Sequence, residues 1–475
     1  MATPTGGIMS SSSPVWRAKL ALATILTAQL MLQMDFLIVI VALPKIQSEL
    51  GFTAAGLSWV PNAFALAFGG LLLLGGRLGD IHGQVRVFRI GIAIFVAASL
   101  WGGVAGSPSA LIAARVLQGV GAALAGPSVL ALITTMARDE AERNRGLSLF
   151  IAVSSVGASA GLILGGALTD LASWRWSLLI NVPVGAVVLL LIGSLVKETP
   201  RKKARLDIAG ALSATLGSVA LVYGFLAAAE QGWLAAGTVA SFGAAALLLV
   251  TFLYVEARTA EPLLDLSLLR NQARAGALVI MAIIVGMNFS MLFLIVQYLQ
   301  QVLGFGSLMT GLAFLPMTVM VFLTTHFVPR LLGRFGPRPL LVCGSILVAI
   351  SLAGFAALDG SSAYAPFVLV PMIVHAAGIA LVFAPGTVAI MQGVPQEHAG
   401  AASGLLQMDQ QIGGALGIAV IAAVYAGGSV PGEFTAGLDT AFAVGAAIAL
   451  LAAAVAATTI SGKGRGAGRV CPASP

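Results

Sequence analysis

Long uninterrupted apolar runs recur along the whole 475-residue chain and constrain its fold more than any other feature. Each is about 20 residues long, the length that a helix needs to cross a bilayer. A membrane barrel would instead show alternating segments of about ten residues. The sequence therefore predicts an all-α polytopic membrane protein with fourteen transmembrane helices, beginning near Leu20, Ser58, Val87, Ser109, Leu147, Leu178, Asp207, Leu234, Ala275, Leu308, Leu340, Phe367, Gly400 and Leu438.

The basic residues provide a second test of this count, because cytoplasmic loops of membrane proteins carry an excess of Lys and Arg. With both termini on the cytoplasmic side, only Lys45, Arg115 and Arg175 of the 25 basic residues fall outside the predicted cytoplasmic segments. One missed or extra helix would destroy this bias. We therefore expect a multi-pass protein of a bacterial inner membrane with both termini in the cytoplasm.

The most charged linker, residues 197–207, follows the sixth span and divides the chain. We predict a cytoplasmic N-terminus, a first six-helix bundle, a linker with two inserted helices, a second six-helix bundle and a disordered tail. Two equivalent bundles are typical of transporters whose substrate site lies between the halves. The predicted boundaries are 1–19, 20–196, 197–260, 261–460 and 461–475.

Composition also excludes several functions. The net charge of +7 is spread over short clusters between apolar runs, as membrane topology requires, so we expect no nucleic-acid partner. The chain has no phosphate loop, no His/Cys metal cluster and no Ser/His/Asp arrangement, so we predict neither an enzyme nor a cofactor. Energy for transport would then come from an ion gradient, and isolated titratable carboxylates favour protons.

Two acidic residues, Asp35 and Asp409, lie well inside apolar runs. A carboxylate at the bilayer centre costs roughly 2.5–3.5 kcal/mol, so it must be paired, protonated or exposed to an aqueous cavity. Asp35 lies about 15 Å from the outer end of its span, and Arg115 lies about 9 Å from the outer end of span four, where its long side chain can reach toward Asp35. We predict that Asp35, Arg115 and Asp409 couple transport to protons; a static ion pair that fixes helix packing is the alternative.

Polar and flexible residues in the spans are candidates for a substrate cavity. Gln407 and Asp409 point in different directions on one helix, so either the glutamines or the acid faces the cavity. His326 and His375 can relay protons, although a hydrogen-bonded packing role is the stronger expectation. The cavity candidates are Met31, Asn288, Met291, Gln297, Gln407 and Gln411.

Several segments together resemble the major facilitator superfamily, specifically its fourteen-span drug:proton antiporter family. Span one has Asp35 within an acid-bearing helix that ends in Val-Ala-Leu-Pro, and span four has Arg-Val-Leu-Gln-Gly from Arg115. The loop after span two runs Gly-Arg-Leu-Gly-Asp from Gly76. Span five has regularly spaced glycines, although Leu162 stands where the family usually has proline. Further similar segments are Trp174-Arg175-Trp176, Asn181-Val182-Pro183, Tyr298-Leu299-Gln300-Gln301, Gly400 to Gly404 and Gly413-Gly414.

The resemblance implies the major facilitator fold, with two six-helix bundles plus two additional central helices. It associates Arg115 with proton coupling, the loop after span two with cytoplasmic gating, and the glycines of span five with antiport. The gating residues are Gly76, Asp80, Gly83 and Arg86, and the glycines are Gly157, Gly161, Gly165 and Gly166.

From these features we predict an antiporter, monomeric in the bilayer, that exchanges protons for small organic compounds such as drugs or toxic metabolites. A metabolite or siderophore exporter, or an importer on the same fold, stays open because of Leu162. A transporter-like sensor or scaffold is a third reading, which the short loops disfavour because they leave no room for a signalling domain.

Overall fold

The structure is a computed structural model that describes residues 15–137, 139–199, 201, 207–259, 270–392, 394, 399–430 and 433–460. The predicted tail at 461–475, most of the N-terminal segment 1–19 and most of the charged linker lie outside these residues. The helices up to the linker are α1 Val15–Leu50, α2 Ala54–Leu57, α3 Trp59–His82, α4 Gln84–Gly103, α5 Pro108–Met136, α6 Glu140–Leu171, α7 Trp176–Leu179 and α8 Asn181–Leu195.

Beyond the linker the chain is again helical. A π-helical turn at Tyr364–Val368 leads directly into α15. The remaining helices are α9 Ile208–Gln231, α10 Ala236–Arg258, α11 Gln272–Gln301, α12 Ser307–Ala313, α13 Leu315–Phe335, α14 Pro337–Phe355, α15 Leu369–Met391, α16 Ala399–Gly428 and α17 Leu438–Thr459.

Thirteen helical stretches of the described residues are long and apolar enough to cross a membrane. They match thirteen of the fourteen predicted spans. The other predicted span is α6, a continuous helix of 32 residues that includes the apolar segment Ala160–Leu171. The prediction of an all-helical membrane protein is therefore confirmed, and fourteen is an approximate count.

Polar side chains at the first turns explain where several helices begin. A free N–H at a helix start needs an acceptor, which Ser, Asp and Asn side chains supply. Ser107 accepts from the N–H of Ala110 before α5, Asp139 from Glu142 before α6, and Asp207 from Gly210 before α9. Proline follows Ser107 at the first position of α5, where its missing N–H costs nothing.

The helices pack into two groups. We call α1 and α3–α8 the first half and α11–α17 the second half. In the first half α5 packs against α3 and α4, and α1 packs against α6 and α8; in the second half α14 packs against α15 and α17, and α11 against α16. Glycines allow the closest approaches: a side chain at Gly75 would meet the carbonyl of Ala123, and one at Gly417 would meet the backbone of Gly286.

The two inserted helices lie beside both halves. Helix α9 packs against α3 of the first half and against α16 of the second half, and α10 packs chiefly against α9. Thr215 of α9 lies directly against Gly70 of α3, where no side chain would fit. The inserted pair therefore covers the seam between α3 and α16.

Candidate functional site

The two charged residues predicted inside the first half form an ion pair. The Nη1 atom of Arg115 lies 2.5 Å from Oδ2 of Asp35, and both side chains are fully buried. Asp35 comes from α1 and Arg115 from α5. The structure thus brings together the acid and the base that the sequence placed within reach of each other.

Three neutral side chains complete a network around Asp35. Gln118 and Asn181 donate hydrogen bonds to Oδ1 of Asp35 at 3.0 and 2.7 Å. Ser99 accepts from Gln118 at 2.8 Å and from Asn181 at 3.4 Å. The network therefore joins α1, α4, α5 and α8, and Asp35 accepts from three donors when Arg115 is included.

Arg115 is held by further contacts. Its Nε donates to the carbonyl of Val60 at 3.1 Å, and its Nη1 donates to Gln118 at 2.9 Å. Its guanidinium also faces the ring of Phe64 in a cation–π contact. The Nη2 atom is buried without a hydrogen-bond partner. The acid thus accepts from three donors, whereas the Nη2 atom of the base has no hydrogen-bond partner.

Every polar group that contacts the oxygens of Asp35 in the described part of the chain is a donor. These donors come from α5 and α8, and Ser99 of α4 accepts from two of them. A change in the hydrogen bonding of Asp35 would therefore reach four helices at once.

Asp409 is partly exposed, and among the described residues it has no network comparable to that of Asp35. It lies on α16, and its Oδ2 is buried with no hydrogen-bond partner. The neighbouring Gln411 lies beside Gly69 of α3, so this part of α16 faces the first half. The structure does not bring Asp409 into the Asp35 network.

The predicted cavity residues differ in exposure. Asn288, Gln407 and Gln411 are partly exposed, and Oδ1 of Asn288 has no hydrogen-bond partner. The other three are buried: Met31 beside Gly185 of α8, Met291, and Gln297, which donates to the carbonyl of Phe293 in its own helix. A cavity role for these six residues stays a prediction.

Aromatic rings join the two halves near this level. Phe36 of α1 and Phe289 of α11 have ring centres 4.6 Å apart, and Phe64 lies 6.1 Å from Phe36. Phe36 directly follows Asp35 in the chain. The ring contact between the halves therefore lies one residue from the buried Asp35 carboxylate.

The two histidines have different surroundings. His326 is exposed on α13 and its ring meets the edge of Phe327. His375 is fully buried in α15, and neither ring nitrogen has a hydrogen-bond partner. The expectation of a hydrogen-bonded packing histidine is therefore wrong for His375, which is buried in the described structure without a hydrogen bond at either ring nitrogen.

The loop between α3 and α4, whose gating role stays a prediction, is held by Glu198 and Thr199 of the segment after α8. Gly83 joins α3 to α4 at a φ of +99°, a conformation that favours glycine. Both carboxylate oxygens of Glu198 accept from the first turn of α4, at the N–H groups of Val85 and Arg86, each at 2.9 Å.

Two further contacts complete this loop. Thr199 accepts from the N–H of Gln84 at 2.9 Å, and the side chain of Gln84 donates to Asp80 at 3.2 Å. The segment after α8 therefore caps α4. Gly76 packs in ordinary contact with Pro127 of α5.

The glycines of span five are packing positions. Gly157, Gly161 and Gly165 face α1, and a side chain at Gly165 would collide with the carbonyl of Ile38. Gly166 faces the second half, where a side chain would collide with the backbone of Ser307. The motif therefore lets α6 approach α1 and α12 closely.

Comparison with known proteins assigns the family. The family model described as Major Facilitator Superfamily matches residues 25–418 and 278–468. The chain belongs to the Major Facilitator Superfamily. This facilitator is 37% identical to the uncharacterized MFS-type transporter EfpA of Mycobacterium tuberculosis strain H37Rv over 430 residues, which cover 88% of this chain and 81% of EfpA.

Two further comparisons agree. The facilitator is 37% identical to the cephamycin export protein CmcT of Amycolatopsis lactamdurans over 461 residues, which cover 96% of this chain and 94% of the relative. Its fold matches the crystal structure of the nucleoside transporter NupG with a TM-score of 0.66 at 15% identity, over 94% of this chain and 100% of NupG. The facilitator is thus a multi-pass membrane transporter of small molecules.

Proposed function

We propose that this facilitator is a proton-driven antiporter that exports small organic compounds by alternating access. The observation that carries the proposal is the fully buried pair of Asp35 and Arg115 within a network of four helices. Ionisable residues inside membrane spans mark proton and substrate pathways, because their burial is costly. A relative named as a cephamycin export protein supports export and an organic substrate.

The mechanism follows from the donors around Asp35. In the structure the carboxylate is enclosed by Arg115, Gln118 and Asn181. When the halves rock, one of these donors withdraws and Asp35 can take up a proton. Neutral Asp35 no longer compensates the charge of Arg115, so the network adopts a second arrangement. Release of the proton on the other side restores the first arrangement.

The remaining roles belong to the same proposal. A cationic substrate that approaches Asp35 would favour loss of its proton, which links the two fluxes. Asp409 provides a second proton site in the other half, and the loop of Asp80 and Arg86 gates the cytoplasmic end. We place the transporter in a bacterial inner membrane as a monomer with both termini in the cytoplasm, driven by the proton gradient without a cofactor.

The test measures proton and substrate flux together. Everted membrane vesicles from a pump-deficient bacterial host are energised to an acid interior, and cationic dyes and a cephamycin are added. We expect wild-type transporter to accumulate substrate in the vesicles and to release protons in exchange. Asp35→Asn should abolish both fluxes, because Asn cannot bind a proton.

A matched control keeps the test specific. Glu49→Gln alters another carboxylate of α1, which bonds Trp174 and Arg175 at the far end of the helix, and should leave the exchange intact. Gradient-driven accumulation by Asp35→Asn would refute the role of Asp35. Substrate movement along with the protons would identify an importer instead.

A further inference from the structure

The outer end of the transporter, where the charge pattern places the extracytoplasmic side, is closed by contacts between the halves. Gln300 of α11 donates to the carbonyl of Val41 in α1 at 2.8 Å. Gly311 of α12 lies against the backbone of Leu162 in α6. These contacts consist of backbone packing and one neutral hydrogen bond, so they determine how closely the two halves pack against each other.

One charged side chain also crosses this seam. Asp170, at the end of α6, accepts a hydrogen bond at Oδ2 from the N–H of Leu308 at 2.7 Å. Leu308 lies in the first turn of the span Ser307–Phe335, where the N–H groups have no partner within the helix and a negative charge is favourable. A charged acceptor makes this a stronger bond than the neutral one.

The other oxygen of Asp170 is held from its own half. Nζ of Lys45 in α1 lies 3.4 Å from Oδ1 of Asp170. Gly306 leaves the space that the carboxylate occupies, since a side chain there would lie 2.7 Å from Oδ2 of Asp170. Lys45 is also one of the three basic residues that lie outside the predicted cytoplasmic segments.

We propose that Asp170 is a latch of the outer gate: its carboxylate, positioned by Lys45, binds the start of the span Ser307–Phe335 and holds the outer end closed. The bond must break before the halves can separate on that side. Asp170 is therefore a positioning residue that sets the equilibrium between the two access states. The latch concerns a conformational equilibrium and does not depend on which ion drives transport.

The experiment measures distances between the halves in full-length protein in lipid nanodiscs, with Cys343 and Cys471 replaced by Ser. Pairs of nitroxide labels are placed at exposed positions away from the latch. Val104 and Val430 report the outer end, and Ile90 and Phe335 report the inner end. Pulsed electron paramagnetic resonance gives the population of each state.

We expect Asp170→Ala to raise the ratio of outer-open to outer-closed protein about tenfold or more, because a hydrogen bond to a charged acceptor is lost. The inner-end distance should shorten in the same population. Gly306→Ala should act in the same direction by displacing the carboxylate, and Lys45→Ala should have a smaller effect. Glu49→Ala is the control and should leave both distances unchanged. In the described structure the Glu49 carboxylate bonds only to residues of the first half.

If Asp170 only stabilises local packing, the measured distances should change in a different way. Loss of packing would broaden both distance distributions without a reciprocal change at the inner end. That result, or wild-type distributions in folded Asp170→Ala and Gly306→Ala, would overturn the latch. If Asp170→Ala does not fold, Asp170→Asn decides the question, because it keeps the shape and loses the charge; unchanged populations in that variant would also overturn the proposal.

Discussion

The guanidinium carbon of Arg115 lies 4.5 Å from the centre of the Phe64 ring. Phe64 in turn lies near Phe36, which contacts Phe289 of the second half. The base of the buried ion pair is therefore linked through two rings to the seam between the halves. Movement at the seam can reach the ion pair through this contact.

Phe64→Leu should weaken this link. Loss of a cation–π contact in a desolvated site costs about 2 kcal/mol, and Arg115 would become more mobile. We expect slower exchange with a folded protein, measured as proton-driven dye efflux in vesicles. Phe68→Leu on the same helix is the control, because in the described structure the cation–π contact of Arg115 is with Phe64 and Phe68 only contacts Phe64. Equal rates in wild type and Phe64→Leu would contradict the link.

Arg115→Lys should abolish coupled transport although it keeps the charge. A lysine cannot donate at once to Asp35, Gln118 and the carbonyl of Val60 with the geometry of a guanidinium. The buried carboxylate would lose part of its compensation, so thermal stability should also fall. Vesicle exchange and a thermal-shift assay measure the two effects. Full activity of Arg115→Lys would show that only the charge matters.

Asn181→Leu should reduce transport and stability together. Asn181 donates to Asp35 at 2.7 Å, and removing a donor from a buried charged acceptor costs about 1–3 kcal/mol. Ser99→Ala is the milder comparison, because Ser99 contacts the acid only through Gln118 and Asn181. The expected order of activity is wild type, Ser99→Ala, then Asn181→Leu. The reverse order would mean that Asn181 does not hold Asp35.

Gly165→Ala should destabilise the protein more than Gly157→Ala. A side chain at Gly165 meets the rigid carbonyl of Ile38, whereas one at Gly157 meets the end of the flexible Leu30 side chain. Overpacking of this kind costs about 1–3 kcal/mol, and the flexible neighbour can relax. Thermal unfolding in detergent compares the two variants. Equal midpoints would contradict close packing of α6 against α1.

Glu198→Ala should loosen the gating loop. Loss of a helix cap costs about 1 kcal/mol, and two N–H groups of α4 lose their acceptor. We expect faster hydrogen exchange at residues 84–88 with little change elsewhere. Asp139→Ala, which removes the cap of α6, is the matched control and should leave exchange in 84–88 unchanged. Unchanged protection in Glu198→Ala would show that the cap does not hold α4.

Much of the fold could be predicted because a lipid bilayer requires long apolar helices. Apolar length and the distribution of basic residues place the spans without any knowledge of contacts. Asp35 and Arg115 could be singled out because charge inside a span is rare and needs a reason. Their contact could be predicted because the fixed rise per residue gives the depth of each residue along its helix, and the arginine side chain is long enough to cover the difference.

The neutral members of the site could not be found in this way. Ser99, Gln118 and Asn181 carry no charge, and polar residues in spans often only join helices. Gln118 and Asn181 lie in the segments that resemble the antiporter family, and this was the one signal available. Glu198 lies within the charged linker, where a carboxylate resembles ordinary surface charge. Its role as a helix cap depends on the segment after α8 lying against the start of α4. A sequence pattern alone does not predict this contact.

The position of α9 has a consequence for compounds dissolved in the lipid. Because α9 lies against both α3 and α16, protein covers that flank of the transporter. The other contact between the halves, where α6 meets α12, is closed by glycine packing at Gly166 and Gly311. A hydrophobic molecule in the surrounding lipid therefore meets protein at the α3–α16 seam, where the inserted pair lies over the contact between the halves.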